Sequence, residues 1–170
     1  MCYPLLAEVD DCMKKTIAAA LLAVIAACIT SCRTAEVLFD DGLKYYNKGN
    51  YNLAIENFNE AIKLDSKLTE AYLYRGNAYL FKKDYDNAMK DFNQAILHKP
   101  DYAEAYYGRG NIFRIKEDYE NALKDYDQAI QLDPEYKEAH KNRDIVYKII
   151  SERDKEIANW AAILGIDQGK

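Results

Sequence analysis

A chain of 170 residues allows one domain of ordinary size with a continuous apolar core. Glycine and proline are few, 7 and 3 against 15 tyrosines, and charges of both signs are mixed along the chain, which excludes a disordered or disulfide-stapled protein and points to packed helices. The net charge of -5, from 28 acidic and 23 basic side chains with no run of lysine and arginine, argues against a nucleic-acid partner.

All four cysteines, Cys2, Cys12, Cys28 and Cys32, lie in the first 32 residues, so the remainder holds no thiol for disulfides. Lys14 and Lys15 follow Met13 and precede an uncharged, largely apolar stretch over residues 16–32, the order of an export signal. Residues 1–12 carry Glu8, Asp10 and Asp11 and no basic side chain, which opposes the orientation such a signal needs; Met13 is therefore read as the start. The end of the apolar run resembles the lipobox of bacterial lipoproteins, which implies a diacylglycerol thioether on a cysteine. Cys28 follows Ile25, Ala26 and Ala27; Cys32 sits at the end of the run before polar Arg33 and Thr34, and is favoured. An uncleaved anchor is less consistent, because the 16 residues from Thr16 to Ser31 fall short of the roughly 20 that span a bilayer. A simple cleaved signal is a further alternative, and a redox pair of Cys28 and Cys32 has no neighbouring base to lower a thiol pKa. Residues 1–32 thus form an N-terminal extension and lipoprotein-type signal, implying a membrane contact through a lipid anchor at a bacterial cell envelope, facing out of the cytoplasm.

A period of 34 governs the rest. Gly42, Gly76 and Gly110 recur at that spacing, as do Tyr45, Tyr79 and Phe113; Ala54, Ala88 and Ala122; Phe58, Phe92 and Tyr126; and Ala61, Ala95 and Ala129. Small residues in three of these columns let two helices approach, and rings in the others fill the spaces beside them. The columns resemble the tetratricopeptide repeat (TPR), with repeats at 35–68, 69–102 and 103–136. Position 4 is Leu38, Tyr72 and Tyr106, and position 32 is Ser66, Pro100 and Pro134, so the first repeat departs from the pattern at both. The resemblance implies an all-α fold: a right-handed α-solenoid of three helical hairpins with a concave side lined by the first helix (A) of each repeat. In the second repeat, helix A is expected over 70–82, a turn at Lys83 and Asp84, and helix B over 85–98, ended by Pro100. Residues 137–170 read as a capping helix and C-terminal extension that keeps the helix-A register but replaces the position-8 glycine with Asp144. Ile157, Trp160, Ala161 and Leu164 carry helical spacing beyond it. They are expected to fold back on the last repeat, with a dimer or partner surface, or a segment lying in the groove, as alternatives.

The resemblance also implies which positions face a ligand. The candidate peptide-binding groove is Phe39, Leu43, Leu73, Tyr74, Asn77, Leu80, Tyr107 and Asn111, an apolar and aromatic trough with two amides able to bond a peptide backbone. The carboxylate clamp of chaperone-binding TPR proteins would need lysine, asparagine and arginine where this chain has Phe39, Leu43, Tyr74, Glu104 and Gly108, so capture of an acidic tail is not expected there. Glu36, Glu70, Glu104 and Glu138 recur at position 2, where they complement helix N-termini, although an acidic rim for a basic ligand is an alternative. His98 and His140 are the only histidines, and no metal spacing, phosphate loop or nucleophile elbow occurs. The expectation is an adaptor that binds a protein or extended peptide and performs no catalysis, with no metal and no cofactor. A structural subunit of an envelope assembly, self-association through the Trp160 helix and, more remotely, an accessory for a small apolar solute are the alternatives.

Overall fold

The computed structural model describes residues 33–164, and its helical unit begins at Ala35. The lipid-attachment candidates Cys28 and Cys32, and the signal around them, lie outside the described residues. Among the described residues seven helices succeed one another: α1 (Ala35–Asn47), α2 (Tyr51–Leu64), α3 (Thr69–Phe81), α4 (Tyr85–His98), α5 (Ala103–Ile115), α6 (Tyr119–Leu132) and α7 (Lys137–Ile163). Among the described residues there is no strand and no helix long and apolar enough to cross a membrane. The second hairpin is offset from its expected bounds by one residue at helix A and by none at helix B.

Each hairpin turns through the same chemistry. Gly49, Lys83 and Glu117 take positive φ values of 74°, 62° and 61°, which reverses the chain after helix A. The next N–H then reaches back to a helix-A carbonyl: Asn50 to Tyr45, Asp84 to Tyr79 and Asp118 to Phe113, each at 2.9 Å. The same three residues cap helix B, their side chains accepting from the N–H groups of Leu53, Asn87 and Asn121. Helix B ends on a non-helical residue, Asp65, Lys99 or Asp133, of which the first and last are extended. Pro100 and Pro134 follow the last two of these and cannot continue a helix.

The repeating alanines explain how tightly the hairpins close. Ala54, Ala61, Ala88, Ala95, Ala122 and Ala129 are wholly buried, as are Phe58, Phe92 and Tyr126. A Cβ on Gly42 would stand 2.5 Å from the Phe58 ring, and one on Gly110 would stand 2.9 Å from the Tyr126 ring. Gly108 serves a second purpose: its Cβ would stand 2.6 Å from the Phe92 ring of the preceding repeat. The position is a packing slot between repeats and not a surface for ligand.

Consecutive repeats are also stitched by a polar ladder. Arg75 donates through Nε and Nη2 to the Asp91 carboxylate at 2.8 and 2.6 Å, and through Nη1 to Asn59 of the preceding repeat at 2.7 Å. Arg109 repeats the arrangement with Asp125 and Asn93, every bond at 2.8 Å. Arg143 of α7 keeps only the arm to the preceding repeat, donating to Asp127 at 3.1 Å. Helix A also touches the helix A of the next repeat, whereas no such contact joins successive B helices. The stack therefore curves, with α1, α3, α5 and the start of α7 on its inner side.

The C-terminal helix does not fold back. α7 runs unbroken for 27 residues, and its second half leaves Ile157, Trp160, Ile163 and Leu164 exposed, although Ala161 is buried. Residues 149–153 contain no glycine, proline or asparagine to form a turn. Asp144 also stands where each repeat has its slot glycine, so a returning ring would find no glycine notch there.

Candidate peptide interface

Eight residues are expected to line the trough, and the structure distributes them unevenly. Phe39, Leu43, Tyr74, Asn77, Leu80, Tyr107 and Asn111 are all half-buried on the inner helices. Leu73 is instead 5% exposed and packs with Tyr72, Ala88 and Phe92. It is a core residue with almost no surface to offer, because at that position α3 already faces α5 and Ala105.

At the first end of the trough, rings from three helices form one cluster. Tyr74 meets Phe39 edge-on at 5.8 Å and Tyr46 edge-on at 5.6 Å. Tyr46 in turn approaches Tyr51 and Phe81, at 5.6 and 6.0 Å, and Phe81 stacks on Tyr51 at 4.9 Å with their planes 3° apart. Edge-to-face and offset geometries of this kind hold rings in fixed orientations. Burial, with Tyr51 and Tyr74 alongside, pushes the Tyr46 hydroxyl up to about 12. Phe81 is 59% exposed although it belongs to this cluster, and so presents a rigid apolar face to solvent. Leu80 flanks the same stretch against the core.

The two amides differ. Asn77 makes no side-chain hydrogen bond among the described residues, since the ring across from it is Phe92, which has no hydroxyl, and the next helix presents only Gly108. Asn111 is engaged: its Oδ1 accepts from the Tyr126 hydroxyl and from Asn142 Nδ2, both at 2.8 Å. Asn142 Nδ2 also donates to the Tyr107 hydroxyl at 3.1 Å. Tyr107 packs against Tyr136 at 4.9 Å. Tyr46, Phe81 and Arg114, which the repeat register also turns to the ligand side, border the trough, and Asn142 joins them from α7. Asn142 was findable in sequence, 34 residues beyond Gly108 in the same register, but its bond to Asn111 depends on how closely α7 docks.

Sequence profiles of the tetratricopeptide repeat match residues 42–82, 76–113 and 103–136, together more than half of the chain. The chain belongs to the tetratricopeptide repeat family. Comparison with curated proteins finds no match. Among solved structures, this TPR chain is similar to the first TPR of Spaghetti (RPAP3) bound to the HSP90 peptide SRMEEVD. The identity is 28% over 69% of this chain and 94% of that one, with a TM-score of 0.67. It is equally similar to the Arabidopsis OM64 TPR domain, at 28% identity, covering 68% and 95% of the two chains with a TM-score of 0.67. The MamA crystal structure shares the fold over 94% of this chain and 96% of its own, at 24% identity and a TM-score of 0.69.

A concavity of about 490 Å³ lies away from the trough, lined by Glu56, Asn59, Glu60, Ile62, Lys63 and Arg75. Its guanidinium is committed to the ladder, and no group of three or more His, Cys, Asp or Glu suited to a metal occurs among the described residues. Exposed apolar side chains occur on the inner helices, at Phe81 and Ile115, and also at Leu64, Leu97 and the end of α7.

Proposed function

We propose that this TPR protein is a membrane-tethered adaptor that holds a protein or an extended peptide along its inner helices and carries out no catalysis. The observation that carries this reading is the ring cluster of Phe39, Tyr46, Tyr51, Tyr74 and Phe81, rigid yet open at Phe81, beside an Asn77 amide without a partner. Rings of this kind give contact area at low entropic cost, and an open amide bonds a backbone whatever its side chains. RPAP3 TPR domains hold HSP90 and HSP70 peptides, which supports a peptide as the class of ligand. The residues at the chaperone-clamp positions here, Phe39, Leu43, Tyr74, Glu104 and Gly108, carry no positive charge, and Gly108 is filled by the Phe92 ring.

The tether rests on the sequence around Cys28 and Cys32, and with it the placement at a bacterial envelope. Mass analysis of the mature N-terminus tests it: a diacylglycerol-modified Cys32 or Cys28 is expected, and an unmodified Met13 segment would exclude it. For the adaptor, the expected outcome of a quantitative pull-down from envelope extracts is a specific set of proteins retained by the parent and reduced at least tenfold by Asn77→Ala combined with Phe81→Ala. Equal recovery by that variant would remove the trough from consideration. Exposed Ile157, Trp160, Ile163 and Leu164 favour a second reading, a subunit of an assembly or of a self-associated form that docks through α7.

A further inference from the structure

The far end of the trough has donors with nothing to donate to. Asn111 Oδ1 collects two hydrogen bonds, from Tyr126 and from Asn142, and Asn142 Nδ2 spends its second proton on the Tyr107 hydroxyl. The Tyr107 O–H and the Asn111 NH₂ are left without an acceptor among the described residues. Beside them stands Arg114, whose guanidinium hydrogen-bonds the Tyr126 hydroxyl. Its Nε is buried and has no hydrogen-bond partner.

Residues 107, 111 and 114 follow one another at i, i+4 and i+7 and so share one face of α5. Arg75 and Arg109 each clasp a carboxylate of their own repeat with two bonds. Arg114 has no carboxylate within ion-pair reach among the described residues. A half-buried guanidinium that meets a hydroxyl but no carboxylate keeps an uncompensated charge and an unused Nε–H, both of which a ligand carboxylate would satisfy.

We propose that Arg114, Tyr107 and Asn111 form a carboxylate-binding locus at the α5–α7 end of the trough. This rests on the reading of the trough as a peptide surface and specifies its ligand: an extended segment with one carboxylate here and apolar side chains on the ring cluster. One cation flanked by two neutral donors balances a monoanion, and the planar guanidinium fork matches two carboxylate oxygens. Neighbouring helices pack about 8–10 Å apart, so the rings on α3 and α1 lie roughly 10–20 Å away. At about 3.3–3.6 Å per extended residue, the apolar anchor falls about three to six residues from the carboxylate. The carboxylate is either a chain terminus or an Asp or Glu side chain.

Three acetylated six-residue peptides separate these sources, each with phenylalanine first and alanine after it. One ends in a free carboxylate, one in an amide, and one carries glutamate at its sixth position before an amide. Each is titrated into the full-length ¹⁵N-labelled chain while the Arg114 Nε–H and Asn111 side-chain NH₂ signals are followed. At least one acid-bearing peptide is expected to move both signals saturably, with affinity at least tenfold above the neutral amide, and whichever does so identifies the source. Arg114→Gln is expected to erase that tenfold preference and Arg114→Lys to retain part of it, with far-UV circular dichroism unchanged in both. Equal binding of all three peptides, or a preference that survives Arg114→Gln, overturns the locus while leaving the trough as a peptide surface. Failure of all three to bind at millimolar concentration overturns both.

Discussion

Gly49, Lys83 and Glu117 occupy the single left-handed residue between the two helices of their repeats, and only the glycine does so without a Cβ penalty. That conformation costs an ordinary residue about 1–2 kcal/mol, partly offset by the greater entropy a glycine loses on folding. Lys83→Gly is therefore expected to raise stability by about 0.5–1 kcal/mol, read from the urea midpoint. Gly42 faces the opposite constraint, since its slot is filled by a wholly buried ring. Gly42→Ala is expected to cost about 2–3 kcal/mol, more than Gly76→Ala, where the Cβ would clear the Phe92 ring by 3.0 Å. The recurring glycines were legible in the sequence as a column of small residues. Which ring fills each slot, and that Gly108 is a second slot, follows only from the docking of one repeat on the next. Tyr46 supplies a pH test: its hydroxyl is raised from 10.0 to about 12, by burial first and by Tyr51 and Tyr74 next. A raised folded-state pKa means the native state holds that proton more tightly than the unfolded chain does. The contribution is thus complete below pH 10 and lost as pH rises towards 12. Relative to Tyr46→Phe, which has no such proton, the parent is expected to lose stability over that window in denaturation series.

Between elements, the Arg–Asp–Asn ladder is the main polar connection. Burial pushes the Asp91 carboxyl up while Arg75 pulls it down, and burial is the larger influence; the ion pair therefore offsets desolvation instead of adding a large surplus. Removing one partner is a different matter. Asp91→Ala leaves a guanidinium with 17% of its side chain exposed and only Asn59 to bond, at an expected cost of about 3 kcal/mol. Glu120→Ala, which breaks an exposed pair with Lys124 on the same helix, is expected to leave the urea midpoint essentially unchanged. Comparable losses from the two substitutions would show that the ladder is ornamental. Arg75, Arg109 and Arg143 recur at the repeat period, so their column was available in the sequence. Their partners sixteen residues away were not, because an (i, i+16) pair exists only once helix B has folded onto helix A. The return of residues 151–164 onto the last repeat, expected from helical spacing, fails for a related reason. Apolar spacing on one helix says which residues share a face and not what that face meets, and here there is neither a turn nor an open slot.

Across the whole molecule, the inner surface changes character from one end to the other: rings on α1–α3, then donors on α5 and α7. Repeat proteins vary their recognition in this way, because each repeat contributes its own face to a common wall while nearest-neighbour packing stays the same. Asn77 and Asn111 show how packing and recognition separate. Both stand at the same repeat position, yet a hydroxyl on Tyr126 and an amide on Asn142 engage the second, while Phe92 and Gly108 leave the first open. Leu73 shows the reverse, a position expected to face ligand that neighbouring repeats bury.

By itself, the sequence determined the period, the repeat family, the helix bounds of the second repeat to within about a residue and the proline stops. All of these rest on local chemistry: small and large residues at fixed spacing, and prolines that cannot continue a helix. The tertiary structure decided which half-buried groups are spent and which are open, the course of α7 and the want of a carboxylate beside Arg114 among the described residues. Each of those depends on what an adjacent repeat brings to within hydrogen-bonding distance, and no single helix carries that information.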